Sequence, residues 1–260
     1  MTYTPSPTAP YLRILPDVYV VGSGTPGFGL SHDCDCHVYL IDGGDEIAII
    51  DAGSGIKSEA VFDHIHNMLP YIQKVNYVFL THGHADHAGG AVDFQSNYGS
   101  TIFLSAEESR LLAIGDEEAL GLTMAKELGH YPRDYTLRKC SVDVEVNGGD
   151  TFTVGRYELR AIKTPGHSKG SISYLLTGHP KRVLFAGDVL FPGGLINLLN
   201  HPSSDLADYR TYTENLRGLD VDALLPGHRM FCLSQGQKHI DRCLHELTTL
   251  AIPRLTCFFM

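Results

Sequence analysis

Short runs rich in Val, Ile, Leu, Tyr and Phe alternate along this chain with longer segments whose apolar residues return every three or four positions. The first pattern suits a strand and the second an amphipathic helix. Strands are predicted over Leu12–Val21, His37–Ile41, Glu46–Asp51, Val75–Leu80, Thr101–Leu104, Val142–Val146, Tyr157–Lys163, Ser171–Leu176, Arg182–Ala186 and Ala223–Leu225. Helices are predicted over Ser58–Leu69, Asp86–Tyr98, Ala106–Ile114, Glu117–Leu128, Asp205–Leu216 and Gln235–Ala251, the last carrying Ile240, Leu244, Leu247 and Leu250 on one stripe. Gly43-Gly44 reads as a hairpin turn, and Ser58 and Ser105 stand where N-caps belong. Strands that meander first and alternate with helices later point to a mixed α/β protein with layered sheets.

The 260 residues, 43% apolar and 19% charged, suffice for one large domain or two small ones and argue against disorder. No apolar run approaches the roughly 20 residues of a membrane-spanning helix, so no membrane partner is expected. The start, MTYTPSPTAPYLR, lacks the basic and apolar regions of a secretory signal, which points to the cytoplasm. Its Pro-rich first ten residues read as a mobile tail. Thirty acidic residues against 20 basic ones give a net charge of −10 with no Lys/Arg cluster, which disfavours nucleic acid and leaves a small molecule as the expected partner. The six cysteines fit reduced thiols, with Cys34 and Cys36 too close for an ordinary bridge. Nothing marks an oligomeric interface.

Fourteen histidines are the compositional outlier. The decisive stretch is Thr81-His82-Gly83-His84-Ala85-Asp86-His87, directly after the apolar strand Val75–Leu80. An extended chain through His82 and His84 puts both imidazoles on one side. A helix starting near Asp86 turns Asp86 and His87 towards a second point, so the stretch can serve two adjacent metals. Imidazole and carboxylate suit zinc, and also iron or manganese. His167, Asp188 and His228 each follow an apolar strand and a glycine, so strand-end loops could bring them to the same cleft. His32, His64, His66, His130, His179, His201, His239 and His245 lack ligand spacing and read as surface or satisfied core groups. Gly22-Ser23-Gly24-Thr25-Pro26-Gly27 matches a dinucleotide fingerprint in letters only, because no helix pattern follows; it reads as a flexible loop beside the cleft.

With these residues in hand, the sequence resembles the metallo-β-lactamase-fold superfamily. HxHxDH is complete at His82, His84, Asp86 and His87. Thr-Pro-Gly-His at 164–167, Phe-Ala-Gly-Asp-Val-Leu-Phe at 185–191 and Pro-Gly-His at 226–228 are similar to the glyoxalase II-like branch. The resemblance runs from about Val18 to about Leu250. It implies a four-layer αββα sandwich, with residues 11–260 as a single domain and the site at one edge of the sheets. It further implies two divalent metal ions, zinc before iron or manganese. His82, His84 and His167 would hold the first, Asp86, His87 and His228 the second, and Asp188 would bridge both. Asp51 would orient a ligand histidine. A carboxylate at Asp188 and the absence of an export signal disfavour β-lactam hydrolysis. The sequence after His228 lacks the glutathione-binding pattern of true glyoxalase II.

The expected chemistry is hydrolysis of an acyl bond (ester, lactone or thioester) of a small molecule by a hydroxide bridging the two metals, with Asp86 orienting it or shuttling its proton. The leucines of Phe191–Asn200, together with Tyr209 and Tyr212, are candidates for lining an acyl pocket. A mononuclear iron enzyme resembling persulfide dioxygenases, and a metal-binding protein without turnover, are the alternative readings.

Overall fold

The computed structural model describes residues 12–256, so the tail expected over 1–10 and Cys257 lie outside the described residues. A seven-stranded sheet has the order β1 (Leu12–Leu15), β2 (Val18–Gly22), β3 (Val38–Asp42), β4 (Ile47–Ile50), β5 (Tyr77–Phe79), β6 (Thr101–Ser105), β7 (Val144–Val146). Its first four strands meander antiparallel, and from β4 to β7 the pairing is parallel. A five-stranded sheet contains β8 (Thr151–Val154), β9 (Tyr157–Lys163), β10 (Ile172–Thr177), β11 (Val183–Gly187) and β12 (Ala223–Pro226), in reverse order across the sheet, with β11 and β12 parallel.

The period of two within the strands separates the layers. On β3, Val38 and Leu40 pack into one core with Ile65 and Phe94 of the helices, while Tyr39 and Ile41 pack into another with Tyr174 and Phe185 of the second sheet. On β11, Leu184 and Ala186 face a third core with Tyr209, Ile240 and Leu244. The central strands of both sheets are therefore buried on both faces, which explains why they read as continuous apolar runs. Helices α1 (Glu59–Met68), α2 (Ala85–Ala88), α3 (Ala91–Tyr98), α4 (Ala106–Ile114) and α5 (Leu122–Glu127) belong to the first sheet's connections. Helix α6 (Leu206–Tyr212) lies in the connection from β11 to β12, and α7 (Gly236–Leu247) follows β12. The αββα expectation describes this arrangement.

Local differences have local causes. Leu12–Val21 is two strands, because Pro16 offers no N–H and Asp17 sits at φ +58° in the turn between them. The helix expected over Asp86–Tyr98 is interrupted at Gly90, whose N–H bonds the Gly53 carbonyl (2.9 Å). The helix expected over Glu117–Leu128 begins only at Leu122, that over Asp205–Leu216 finishes as a 3-10 turn (Thr213–Leu216), and Leu250 is fully exposed beyond α7. Strand β8, with two threonines in four residues, was too short and polar to register. Neither Ser58 nor Ser105 caps its helix; Ser58 instead donates to Asp93 Oδ2 (2.5 Å). The Gly43-Gly44 hairpin forms, with Gly43 N–H bonding Glu46 O (2.9 Å).

Candidate metal centre

All seven side chains singled out in the sequence meet at one edge of the sandwich. His82 and His84 lie just beyond β5, Asp86 and His87 in α2, His167 between β9 and β10, Asp188 directly after β11 and His228 after β12. The chain at His84 is extended (φ −62°, ψ 149°) before α2 begins, so His84 turns back to His82 and leaves Asp86 and His87 to a second point. The donor atoms of His82, His84 and His167 lie within 4.8 Å of one another. The same holds for Asp86, His87 and His228, and for His82, His87 and Asp188.

The outer nitrogens fix which lone pairs point inward. His87 Nδ1 bonds Asp51 Oδ2 (2.8 Å), His167 Nδ1 bonds Asn197 O (2.8 Å) and His82 Nδ1 bonds Thr81 Oγ1 (3.0 Å). Asp51 also accepts from Thr81 N–H (2.7 Å), so one buried carboxylate holds both the strand end and His87. Inside, His84 Nδ1 stands 3.1 Å from His82 Nε2 and 3.0 Å from His167 Nε2. His228 Nε2 is 3.0 Å from Asp86 Oδ2, while His167 and His228 Nε2 are each 3.7 Å from Asp188 Oδ2. The close approach of Gly227 matters here: a Cβ on it would lie 2.5 Å from Asp188 Oδ1 and from His87 Cε1.

These atoms suit metal ligation. His87 Nε2 and Asp188 Oδ1 are buried without a hydrogen-bond partner and face each other at 3.5 Å. Orphaned donors and acceptors at such a position are costly unless another group completes them. Burial opposes charge on His87, yet Cys36, Asp51, Asp86 and Asp188 around it raise its pKa well above the ordinary value. Burial likewise acts against the Asp86 carboxylate, but His87 and His228 hold its pKa well below the usual range. Burial and neighbouring imidazoles push His84 down to about 3, and burial pushes His167 down to about 4, so both present neutral, ligating nitrogens. Cys36, Asp51 and His87 also cluster, but there the His87–Asp51 hydrogen bond already uses the paired atoms.

His84, Asp86, His167, Asp188 and His228 line a cleft of about 320 Å³. Its apolar wall is Leu120, Leu122, Met124, Ala125, Leu128 and Tyr131, from α5 and its flanks. Sequence reasoning missed this wall. Of the leucines expected from 191–200, only Leu199 lines the cleft; Ile196 and Leu198 belong to the third core. Tyr209 points into that core, donating its hydroxyl to Asn197 O (3.0 Å), and Tyr212 does not line the cleft. His130 and His201, set aside in the sequence, do line it, as does Cys34, whose thiol donates to His130 O (3.6 Å). After Gly22, which ends β2, the 23–27 segment runs into a turn without a helix, and its Pro26 borders the cleft as expected. His37 went unnoticed: its Nε2 bonds Arg229 O (2.6 Å) and its N–H bonds Gly227 O (2.6 Å), holding the His228 loop from both sides. Among the described residues no helix is long and apolar enough to cross a membrane.

Known proteins share this family and fold. A family model of the metallo-beta-lactamase superfamily matches residues 33–228. "Acyl-coenzyme A thioesterase MBLAC2" of Homo sapiens is 27% identical over 245 residues, covering 84% of each chain, and that of Gallus gallus is 30% identical over 238 residues, covering 83% of each. "Hydroxyacylglutathione hydrolase" of Brucella ovis is 32% identical over 120 residues, which are 46% of this chain and 35% of that protein. The solved structure of BJP-1, a subclass B3 metallo-beta-lactamase of Bradyrhizobium japonicum, shares the fold with a TM-score of 0.68 and 20% identity, covering 90% of this chain and 89% of that one. The chain belongs to the metallo-beta-lactamase superfamily.

Proposed function

We propose that the protein is a metal-dependent hydrolase that cleaves an acyl bond, as ester, lactone or thioester, in a small molecule with an apolar acyl chain. The observation that carries this reading is the convergence of seven His and Asp side chains, five of which line a cleft that also has an apolar wall. In this reading His82, His84 and His167 hold one divalent cation and Asp86, His87 and His228 a second, with Asp188 between them. Zinc suits the nitrogen-rich donor set, and iron or manganese are compatible with it. When bound, such a pair lowers the pKa of a shared water towards neutrality and polarises the substrate carbonyl.

The remaining work falls to the chain itself. Asp86 is the catalytic carboxylate: it reaches the cleft while leaning on His87 and His228, so it can orient the attacking water and take its proton. Asp51, Thr81 and Asn197 keep the imidazoles in the ligating tautomer. The 120–131 wall receives the acyl chain and keeps bulk water from the carbonyl. Among the described residues lining the cleft there is no Lys or Arg, so a phosphate-bearing leaving group finds no cation inside it. The acyl half of the substrate, rather than its carrier, is what the cleft reads. Relatives named as acyl-coenzyme A thioesterase and hydroxyacylglutathione hydrolase support the acyl chemistry.

The test is metal analysis of protein purified without chelator, paired with a panel of lactones, esters, and thioesters on coenzyme A and on plain pantetheine. Two zinc equivalents and comparable turnover of both thioester carriers are expected. One iron equivalent with oxygen consumption on a persulfide would replace the reading with an oxidative one. Bound metal with no turnover anywhere on the panel would leave a binding protein.

A further inference from the structure

Apart from the seven converging side chains, one buried carboxylate serves the loops that carry them. Glu108 is the third residue of α4 and 3% exposed. Ser105-Ala106-Glu107-Glu108 spells a capping box, in which the glutamate would fold back on the helix start and the serine would accept from its backbone. The box is not formed. Ser105 makes no cap bond and its hydroxyl is buried without a partner. Glu108 turns away instead: Oε2 accepts the N–H of Gly83 (2.6 Å), Oε1 the N–H of Gly170 (3.1 Å), and the Ser168 hydroxyl donates to the same carboxylate.

Those partners are not arbitrary. Gly83 separates His82 from His84, and Ser168 and Gly170 follow His167. At Gly170 a Cβ would come within 2.7 Å of Glu108 Cγ and Cδ, so glycine there lets the loop close onto the carboxylate. Of the other four histidine and aspartate donors, His87 is braced by Asp51 and the His228 loop by His37.

We propose that Glu108 is a positioning residue for the first cation site alone: one carboxylate clamps the His82–His84 loop to the His167 loop, and its loss loosens that site while sparing the Asp86–His87–His228 site. The local capping rule is broken in favour of this clamp, as happens where function overrides local preference. Glutamine cannot replace the carboxylate, because its amide offers one acceptor oxygen and turns a donor towards the second backbone N–H.

The inference rests on the two-metal reading above, and its test separates the two. Full-length wild type, Glu108→Gln and Glu107→Gln are stripped of metal and titrated with Zn²⁺ against a chromophoric chelator. Wild type takes two equivalents. Glu108→Gln keeps one at unchanged affinity and binds the other at least tenfold more weakly, whereas Glu107→Gln, whose carboxylate pairs with Lys163 at the surface, behaves as wild type. In a His228→Ala background Glu108→Gln weakens the remaining equivalent; in a His82→Ala background it leaves it alone. Equal weakening of both equivalents, or of neither, overturns the proposal. Should the variant fail to fold, amide hydrogen exchange of Gly83 and Gly170 in the metal-free wild type decides: protection is expected, and exchange at open-loop rates overturns the clamp. A wild type that takes up no Zn²⁺ sinks the two-metal reading, whatever those amides show.

Discussion

Replacing Asp51 by asparagine tests how the proposed second cation site is oriented. The site is nearly isosteric for the change, and Asn tolerates the left-handed backbone that Asp51 adopts at φ +58°. The chemistry is not tolerated. The carboxylate accepts from Thr81 N–H, from Thr81 Oγ1 and from His87 Nδ1, and it has no donor to offer. An amide whose oxygen stays with Thr81 N–H presents its NH2 to His87 Nδ1. His87 then accepts there and carries its proton on Nε2, the atom that faces Asp86 and Asp188 at 3.5 Å. The inward lone pair is lost without moving the ring. Changes to such outer partners typically cost 10–100-fold in metal affinity, about 1.4–2.8 kcal/mol. Asp51→Asn should therefore bind one Zn²⁺ equivalent normally and the other about 10–100-fold more weakly, read by chelator competition with circular dichroism as a folding control. Asp51→Ala removes the carboxylate but imposes no donor on Nδ1, so it should bind that equivalent more tightly than Asp51→Asn does. Wild-type affinity for both equivalents in Asp51→Asn would refute the tautomer argument.

Three further outcomes follow from the same geometry. Burial pushes the His37 pKa from 6.5 down to about 3, so between those values the unfolded chain holds a proton that the folded one refuses. Its contribution to stability is whole above pH 6.5 and declines by about 1.4 kcal/mol per pH unit as the pH falls towards 3; metal-free His37→Gln should lose less stability than wild type between pH 7 and 4.5 in urea melts, and equal losses would count against it. Gly227→Ala drives a methyl to within 2.5 Å of Asp188 Oδ1 and His87 Cε1, so purified protein should retain fewer than two metal equivalents while its far-ultraviolet spectrum stays native; full occupancy would show that the loop yields. Leu128 lines the cleft and is 65% exposed. Leu128→Lys should raise KM for an octanoyl thioester by about tenfold, the scale of two lost methylene contacts, and leave an acetyl thioester unchanged; a parallel rise for both would detach the chain from this wall.

The parts of this molecule that could be read from sequence are those whose chemistry restricts residue type. Ligation needs imidazole or carboxylate at narrow spacing, so His82 to His87 stood out. The strand-glycine-ligand pattern at His167, Asp188 and His228 then placed the remaining donors at strand ends. The layers were legible because the central strands of both sheets are buried on both faces and read as apolar runs, whereas the half-exposed β8 did not. The Leu120–Tyr131 wall was not legible, for a definite reason. Leu120 and Leu122 are 3% and 2% exposed, and they pack into the first core while also bordering the cleft. A leucine facing substrate and one facing the core obey the same pattern, and only the path of the chain between α4 and β7 distinguishes them. The 191–200 leucines show the converse, since their position next to Asp188 suggested a pocket while most of that segment seals the third core.

His37 and Glu108 escaped for another reason. Neither has ligand spacing or a motif of its own for the site, and each acts by bonding backbone from a different part of the chain: His37 reaches Arg229 across 192 positions, and Glu108 reaches Gly170 across 62. Such contacts leave no periodic trace. What they do leave is a local rule that fails, as at Ser105, where a capping signal is present and the cap is not made. A broken local rule costs stability and persists only if something else compensates. At Ser105 the compensation is visible three residues on, where the carboxylate that should have closed the helix holds two metal-site loops instead. The failed cap is thus a better pointer to Glu108 than any motif, and it becomes legible only when sequence and structure are read against each other.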